Sequence, residues 1–242
     1  MSVRKSMAML LLMLAAIFTI NGCYIDNINC IRGNGQVVTE TRTTQSFNQI
    51  ASNGSFDIVV LPSLVHEVRL ETESNLVDFI RTNVAGNRLI IETSNNRCIN
   101  NTLPLRVTVY TPYVNGFEMN GSGSIVAHGL DVAELYANLN GSGSIDLDAA
   151  ADLVRATISG SGTIDITGIA DIADLQISGS GTIYAYGLDQ NACYASITGS
   201  GNMYVYPNQL LDVEISGSGN LYYKGNPQLI QKITGSGRVI RQ

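Results

Sequence analysis

Apolar and polar residues alternate along most of the second half of this chain. Residues 135–139, 154–158 and 173–177 carry an apolar side chain at every second position, and residues 164–166 and 203–205 do the same. A period of two is typical of β-strands that bury one face. The pattern therefore predicts strands, and it excludes helical repeats, whose apolar positions recur near every 3.6 residues.

A short phrase with a Gly-Ser-Gly core interrupts this alternation seven times. Successive copies begin 20, 19, 19, 20, 18 and 18 residues apart. A near-constant period indicates a solenoid, in which each unit buries its apolar face against its neighbours. The first glycines of the seven copies are Gly121, Gly141, Gly160, Gly179, Gly199, Gly217 and Gly235.

The phrase has the composition of a corner between two sides of a coil. Both glycines fall on the inward parity of the alternation, where a glycine marks a bend or a close backbone approach. The L-x-x-L-x-L core of leucine-rich repeats is missing, and no aspartate recurs in every turn as calcium-binding nonapeptide coils require. We therefore predict an all-β fold, a parallel β-helix with coils of 18–20 residues, each with a perimeter of about 60 Å.

Residues 46–115 carry less regular strand patterns and one degenerate copy of the phrase, Asn53-Gly54-Ser55-Phe56. We interpret this half as degenerate coils that continue into the regular coils of residues 116–242. The predicted β-helix thus spans residues 46–242, and the polar, glycine-bearing residues 23–45 are expected to form a tether.

The first 22 residues resemble a bacterial lipoprotein signal peptide. Arg4 and Lys5 precede an apolar run that is too short for a membrane-spanning helix. The run ends in Ile20-Asn21-Gly22-Cys23, which is similar to a lipobox, where the cysteine becomes the lipid-bearing N-terminus. The alternative is an ordinary secretory signal that is cut near Gly22. Acylation of Cys23 would anchor the protein to a membrane.

The net charge of the chain excludes one class of binding partner. Loss of residues 1–22 would change the net charge from −6 to −8, which argues against nucleic acid as a partner.

Cys193 has inward parity, so we expect it to pack as a small apolar residue. Cys30 and Cys98 are then free to form a disulfide in an oxidising compartment.

Several of these features together resemble one known family. They are the lipobox, the opening Ser46-Phe47-Asn48-Gln49-Ile50, the strand Gly54-Ser55-Phe56-Asp57-Ile58 and the stacked Gly-Ser-Gly coils. This combination is similar to the "putative autotransporter-adhesin, head GIN" domain of bacterial lipoproteins over roughly residues 46–225. The resemblance implies a right-handed β-helix on an envelope lipoprotein, and it supplies no catalytic residues.

Five of the eleven tyrosines fall in two outward columns of the last coils. Tyr184, Tyr204 and Tyr222 occupy the first outward position after their phrase, and Tyr186 and Tyr206 occupy the second. Equivalent positions of stacked coils lie about 4.8 Å apart, so the first three rings are predicted to stack. Such a ladder stabilises strands by about 0.5–1.5 kcal/mol per pair. The alternative is that the exposed aromatic strip binds an extended glycan or a partner surface.

Signs of catalysis are weak. Asp146 and Asp165 share one column, but the histidine and arginine motifs of pectin-cleaving β-helix enzymes are missing. We interpret His128 and Asp131 as a surface pair. The hydroxyl and amide side chains of the phrase are expected to hydrogen-bond along the stack, although a flat hydroxyl lattice that binds glycan or ice is an alternative. No metal site or cofactor is expected.

These observations favour a non-catalytic, adhesin-like protein of the cell envelope, anchored by lipid in the outer membrane of a Gram-negative bacterium. The ligand would be a surface glycan or a partner protein. A passive envelope scaffold and, less favoured, a polysaccharide-processing enzyme are the alternatives.

The lipid anchor gives the first testable prediction. Cys23→Ser removes the thiol that would carry the acyl chains, so the variant should incorporate no labelled fatty acid and should accumulate as a full-length or differently cut precursor. Metabolic labelling followed by electrophoresis measures both results. Fatty acid that still labels the variant would show that the anchor lies elsewhere.

Overall fold

The computed structural model describes residues 30–94 and 97–242. The described strands are, in chain order, β1 (Ile31–Arg32), β2 (Val37–Thr43), β3 (Gln49–Asn53), β4 (Asp57–Pro62), β5 (Glu67–Glu73), β6 (Ile80–Ala85), β7 (Arg88–Thr93), β8 (Ile99–Asn100), β9 (Arg106–Thr111), β10 (Gly116–Gly121), β11 (Ser124–Gly141), β12 (Ser144–Gly160), β13 (Thr163–Gly179), β14 (Thr182–Gly199), β15 (Asn202–Gly217), β16 (Asn220–Tyr223), β17 (Gln228–Gly235) and β18 (Arg238–Arg241). A 3-10 helix, Val77–Phe79, lies between β5 and β6.

Parallel pairing between successive coils builds the regular part of the fold. β11 to β15 are each a whole coil of 16–18 residues that runs from one Gly-Ser-Gly corner to the next. β12 pairs with β13 from Ser144↔Thr163 to Gly160↔Gly179. The stacked coils form a β-solenoid of about 7 turns, which confirms the predicted fold class. The parity of the alternation is confirmed as well, because the serine between the two glycines of each phrase is exposed, while the second glycine is buried from Gly143 onward as far as Gly219.

Both glycines of each corner are required by close approach of neighbouring backbones. Gly160 has a φ of +139°, and a Cβ on it would lie 2.4 Å from the carbonyl oxygen of Gly141 in the coil below. A Cβ on Gly162 would lie 2.5 Å from the carbonyl oxygen of Gly143. The Gly141 carbonyl also accepts hydrogen bonds from the backbone N–H groups of Ser161 and Gly162. Only glycine fits this geometry without moving the chain.

The interior of the solenoid is filled by columns of identical or similar apolar side chains. One column includes Ile145, Ile164, Ile183 and Met203, and each of them is at most 1% exposed. Burial of an aliphatic side chain of this size stabilises the fold by about 1.5–3 kcal/mol, so every added coil contributes to stability. Stacking therefore stabilises units that would not fold alone.

Cys193 lies in such a column, between Ala173 and Leu211, and it is fully buried with a free thiol. Burial raises the pKa of the Cys193 thiol, and the negative charge of Asp174 raises it by a smaller amount. The prediction that it packs as a small apolar residue is confirmed. Cys30 and Cys98 are both disulfide-bonded.

The degenerate copy of the phrase, Asn53-Gly54-Ser55-Phe56, forms the corner beneath the first regular corner. Gly54 has a φ of +150° and its N–H donates to the carbonyl of Asn120. The Ser55 and Ser122 hydroxyl oxygens lie 3.0 Å apart. Phe56 stands where the later coils have their second glycine, and its side chain is fully buried. Residues 46–115 thus continue into the stack, and residues 31–242 form one compact unit.

The pairing in this first half differs from the expected run of degenerate coils. β2 and β9 both pair antiparallel with β5, and β6 and β7 form an antiparallel hairpin around Gly86 and Asn87. Parallel pairing is kept between β3 and β7 and between β4 and β9. A short turn at Gly86 and Asn87 allows β6 and β7 to pair antiparallel, whereas each repeat must complete a full coil before it pairs with the next.

The expected tether over residues 23–45 is wrong for its second part. Val37–Thr43 pairs with β5 over seven residues, and Ile31–Arg32 pairs with β8. The carboxylate of Glu73 accepts hydrogen bonds from the N–H groups of Gly35 and Thr102. Polar composition alone suggested a linker, but an antiparallel edge strand tolerates alternating polar residues. The predicted signal peptide and Cys23 lie outside the described residues.

The corner geometry gives the second prediction. Gly160→Val or Gly179→Val should lower the free energy of unfolding by about 3 kcal/mol or more, because both the positive φ and the adjacent carbonyl forbid a side chain. Ser161→Ala and Ser180→Ala, on the exposed side of the same corners, should cost about 1 kcal/mol or less.

Thermal and denaturant melts of the four variants measure the difference. Serine variants that are less stable than the glycine variants would reverse the assignment of inside and outside.

Candidate binding face

Three outward columns follow each corner on one face of the solenoid, which we call the tyrosine face. The first outward column after the phrase pairs Asp165 with Tyr184, Tyr184 with Tyr204, and Tyr204 with Tyr222. The column before it contains Asn202, Asn220 and Arg238. The column after it contains the second-site tyrosines. Parallel pairing without a shift keeps the first two of these columns straight.

Tyr184, Tyr204 and Tyr222 stack as predicted. The ring centroids of Tyr184 and Tyr204 are 5.0 Å apart with planes at 16°, and those of Tyr204 and Tyr222 are 4.9 Å apart at 10°. Rings stacked in this way cover each other's faces. The ladder therefore presents ring edges and phenol hydroxyls to solvent, and Tyr184 is 41% exposed.

The two second-site tyrosines do not form a second ladder. Tyr186 meets Tyr204 edge to face at 5.4 Å, and the Lys224 Nζ lies 4.3 Å from the centre of the Tyr186 ring. Tyr206 is 41% exposed, and no ring contact joins it to the other four within the described part of the chain. The pairing of β14 with β15 shifts between Ala185 and Gln190, which separates these two side chains.

Two phenols of this cluster, those of Tyr186 and Tyr204, are held in their neutral form. Burial raises the pKa of Tyr186 and of Tyr204, and neighbouring tyrosines raise both further. At neutral pH these hydroxyls are hydrogen-bond donors as well as acceptors. The buried Tyr186 hydroxyl has no hydrogen-bond partner among the described residues.

Carboxylates occupy the same column toward the N-terminal coils. Asp146 pairs in register with Asp165, and burial together with the charge of Asp146 raises the pKa of Asp165. His128 contacts Asp146 with Nε2 3.1 Å from Oδ1, so its expected pairing with Asp131 is wrong. Outward side chains at neighbouring positions of two stacked coils lie closer together than outward side chains that are separated by a bend within one coil. Within residues 30–94 and 97–242, no three acidic, histidine or cysteine side chains are grouped to hold a metal.

The amide and hydroxyl side chains of the phrase serve the stack itself in the first coils. Asn140 Nδ2 donates to Asn120 Oδ1 at 2.8 Å, and Asn120 Nδ2 donates to Asn53 Oδ1 at 2.9 Å. The Ser124 hydroxyl donates to Asp57 at 2.8 Å. These contacts support the structural interpretation of these columns.

A shallow groove of about 530 Å³ lies on another side of the coils. Two of its aspartates accept hydrogen bonds from amides, since Asn191 Nδ2 donates to Asp171 at 3.1 Å and Asn208 Nδ2 donates to Asp189 at 2.5 Å. No helix in the described part of the chain is both long enough and apolar enough to cross a membrane.

Sequence reasoning missed the cations at the end of the tyrosine face. Lys224 donates its backbone N–H to the Val205 carbonyl, which aligns it with Tyr206, and Arg238 aligns with Asn220. An alignment of the seven phrases would have placed both in the outward columns. Attention to the aromatic residues alone left them unnoticed.

Comparison with known proteins supplies a family match. The family model described as "Putative auto-transporter adhesin, head GIN domain" matches residues 46–227. No curated protein matches the sequence.

Several solved structures share the fold. A "putative adhesin" from Bacteroides fragilis is 23% identical with a TM-score of 0.80, and the match covers 88% of this chain and 100% of that one. A "putative adhesin" from Parabacteroides merdae is 23% identical with a TM-score of 0.73 over 88% and 98% of the chains. A "putative lipid binding protein" from Parabacteroides distasonis is 26% identical with a TM-score of 0.74 over 88% and 99%.

The stacked aspartates give the third prediction. Because the pKa of Asp165 is raised in the folded chain, folding takes up protons and stability falls as the pH rises above the ordinary value of 3.8. Asp165→Asn should therefore raise the thermal midpoint at neutral pH and have no such effect in acid. Asp171→Asn is the control, because it removes the same charge from an aspartate that Asn191 hydrogen-bonds. Melts between about pH 3 and 7 that show an equal gain for both variants would assign the effect to net charge alone.

Proposed function

The chain belongs to the family described as "Putative auto-transporter adhesin, head GIN domain", and on that premise we propose that it is a non-catalytic, lipid-anchored envelope protein that binds through the tyrosine face. Its ligand would be an extended surface glycan or the surface of a partner protein. Acylated Cys23 would hold it in the outer membrane of a Gram-negative bacterium.

The ladder of Tyr184, Tyr204 and Tyr222 is the observation that carries this proposal. The coils that place Val126, Asp146 and Asp165 in the same column form the same corner without tyrosine. The corner therefore does not need these rings. Clusters of partly exposed aromatic side chains with polar tips commonly signify contact with another molecule.

The geometry favours a hydroxylated ligand over one that stacks on ring faces. The ring faces within the ladder are covered, so a ligand would meet a row of phenol hydroxyls. Neighbouring hydroxyls would be separated by about 4.8 Å, the distance between stacked coils. Each hydroxyl can both donate and accept a hydrogen bond. Glycans offer many such groups along an extended chain, and a partner strand or loop would do so less regularly.

The fourth prediction tests the ladder. Replacement of Tyr184, Tyr204 and Tyr222 together by serine should abolish binding to a glycan array or to cells while the far-ultraviolet circular dichroism stays unchanged. Each lost stacking pair should cost about 0.5–1.5 kcal/mol of stability. The matched control is Tyr113→Ser with Tyr194→Ser, which removes two tyrosines that are 45% and 44% exposed elsewhere.

The possible outcomes separate the alternatives. Binding that survives the triple change would place the ligand site elsewhere on the protein. Absence of binding by the unchanged protein would favour a passive scaffold, and turnover of the same polysaccharides would favour an enzyme.

A further inference from the structure

We propose that the ligand of the tyrosine face is an anionic polysaccharide, whose negative groups meet Lys224 and Arg238 at the C-terminal end of the ladder. This inference rests on the proposed function, because it names the chemical class of ligand for the same face. It comes from the distribution of charge along the stack.

Positive charge is concentrated in the last coils of an otherwise acidic protein. The whole chain has a net charge of −6, yet residues 215–242 contain no Asp or Glu. The cations of this segment are Lys224, Lys232, Arg238 and Arg241. Charge segregation of this kind attracts a polyanion to one end of the molecule while the rest repels it.

Two of these cations lie on the tyrosine face without a carboxylate partner. Lys232 is paired with Glu214 at 2.5 Å. Lys224 and Arg238 are exposed, and neither has an Asp or Glu within salt-bridge distance in the described ranges 30–94 and 97–242. Their neighbours are Tyr186 for Lys224, at 4.3 Å, and Asn220 for Arg238, in register.

Arg238 and Lys224 flank the ladder on its two sides. Arg238 belongs to the outward column before that of Tyr222, and Lys224 belongs to the column after it. A ligand that lies along the phenol hydroxyls would therefore pass between two cations. Arginine suits planar carboxylate, sulfate or phosphate groups, and lysine acts as a compact charge beside it.

The opposite end of the same column argues for a polymer and against a membrane surface. Asp165 and Asp146 continue the column beyond Tyr184. A flat anionic bilayer laid along this face would meet these carboxylates as well as the cations. A flexible polysaccharide can place its charged groups at the cationic end and its hydroxyl groups along the ladder.

The test compares matched polymers that differ only in charge. The protein isolated from its host is titrated with polygalacturonate and with its methyl ester, and with dextran sulfate and dextran. We expect binding to one or both anionic polymers, much weaker binding to the neutral partners, and a linear fall of the logarithm of affinity with the logarithm of salt concentration.

Lys224→Gln with Arg238→Gln should weaken binding of the anionic polymer roughly tenfold. It should also reduce the salt slope by about two. The matched control is Arg32→Gln with Arg81→Gln, which removes two exposed cations far from the tyrosine face and should change neither quantity.

Each other outcome overturns the inference in a recognisable way. Equal binding of charged and neutral polymers that still requires the ladder would leave the proposed function standing and exclude the anionic class. Stronger binding to vesicles of anionic phospholipid than to either anionic polymer would replace the polysaccharide by a membrane surface. Failure to bind either anionic polymer would overturn the inference, and the glycan array described above would then decide the proposed function separately.

Discussion

Close contact between backbones at the Gly-Ser-Gly corner is the constraint on which the rest of this structure depends. The carbonyl of one corner glycine accepts hydrogen bonds from the corner above it, as Gly141 does from Ser161 and Gly162. That geometry leaves no room for a Cβ on Gly160 or Gly162. Since every coil turns at the same place, the corner fixes the register of the residues that directly follow it.

Register turns a linear sequence into columns on a surface. A residue directly after one corner lies beside the equivalent residue after the next, which brings Tyr184, Tyr204 and Tyr222 into contact from positions 18 to 20 residues apart. Inside the solenoid, the same rule builds apolar columns that exclude water. A gradual change of side chains along one outward column can therefore create a binding face without any change in the fold.

The two ends of the stack are built differently. The N-terminal side carries antiparallel strands, and the Arg42 guanidinium donates to the Ile80 carbonyl at 2.8 Å across them. On the C-terminal side, Leu229 and Ile233 are 36% and 38% exposed although their column neighbours Leu211 and Ile215 are buried. Antiparallel strands cover the edge that a parallel stack would leave open. The tyrosine face and its cations lie near the less covered end.

The sequence by itself determined the coil period, the parity of inward and outward residues, the burial of Cys193 and the stacking of three tyrosines. All of these follow from local alternation and from the spacing of one phrase. The tertiary structure decided that residues 37–43 pair antiparallel with β5, that His128 meets Asp146, and that Lys224 lies over Tyr186. Parity tells which side of a strand a residue occupies, but it does not tell which distant strand will be its neighbour. Those contacts depend on turn lengths and register shifts that only the assembled coils reveal.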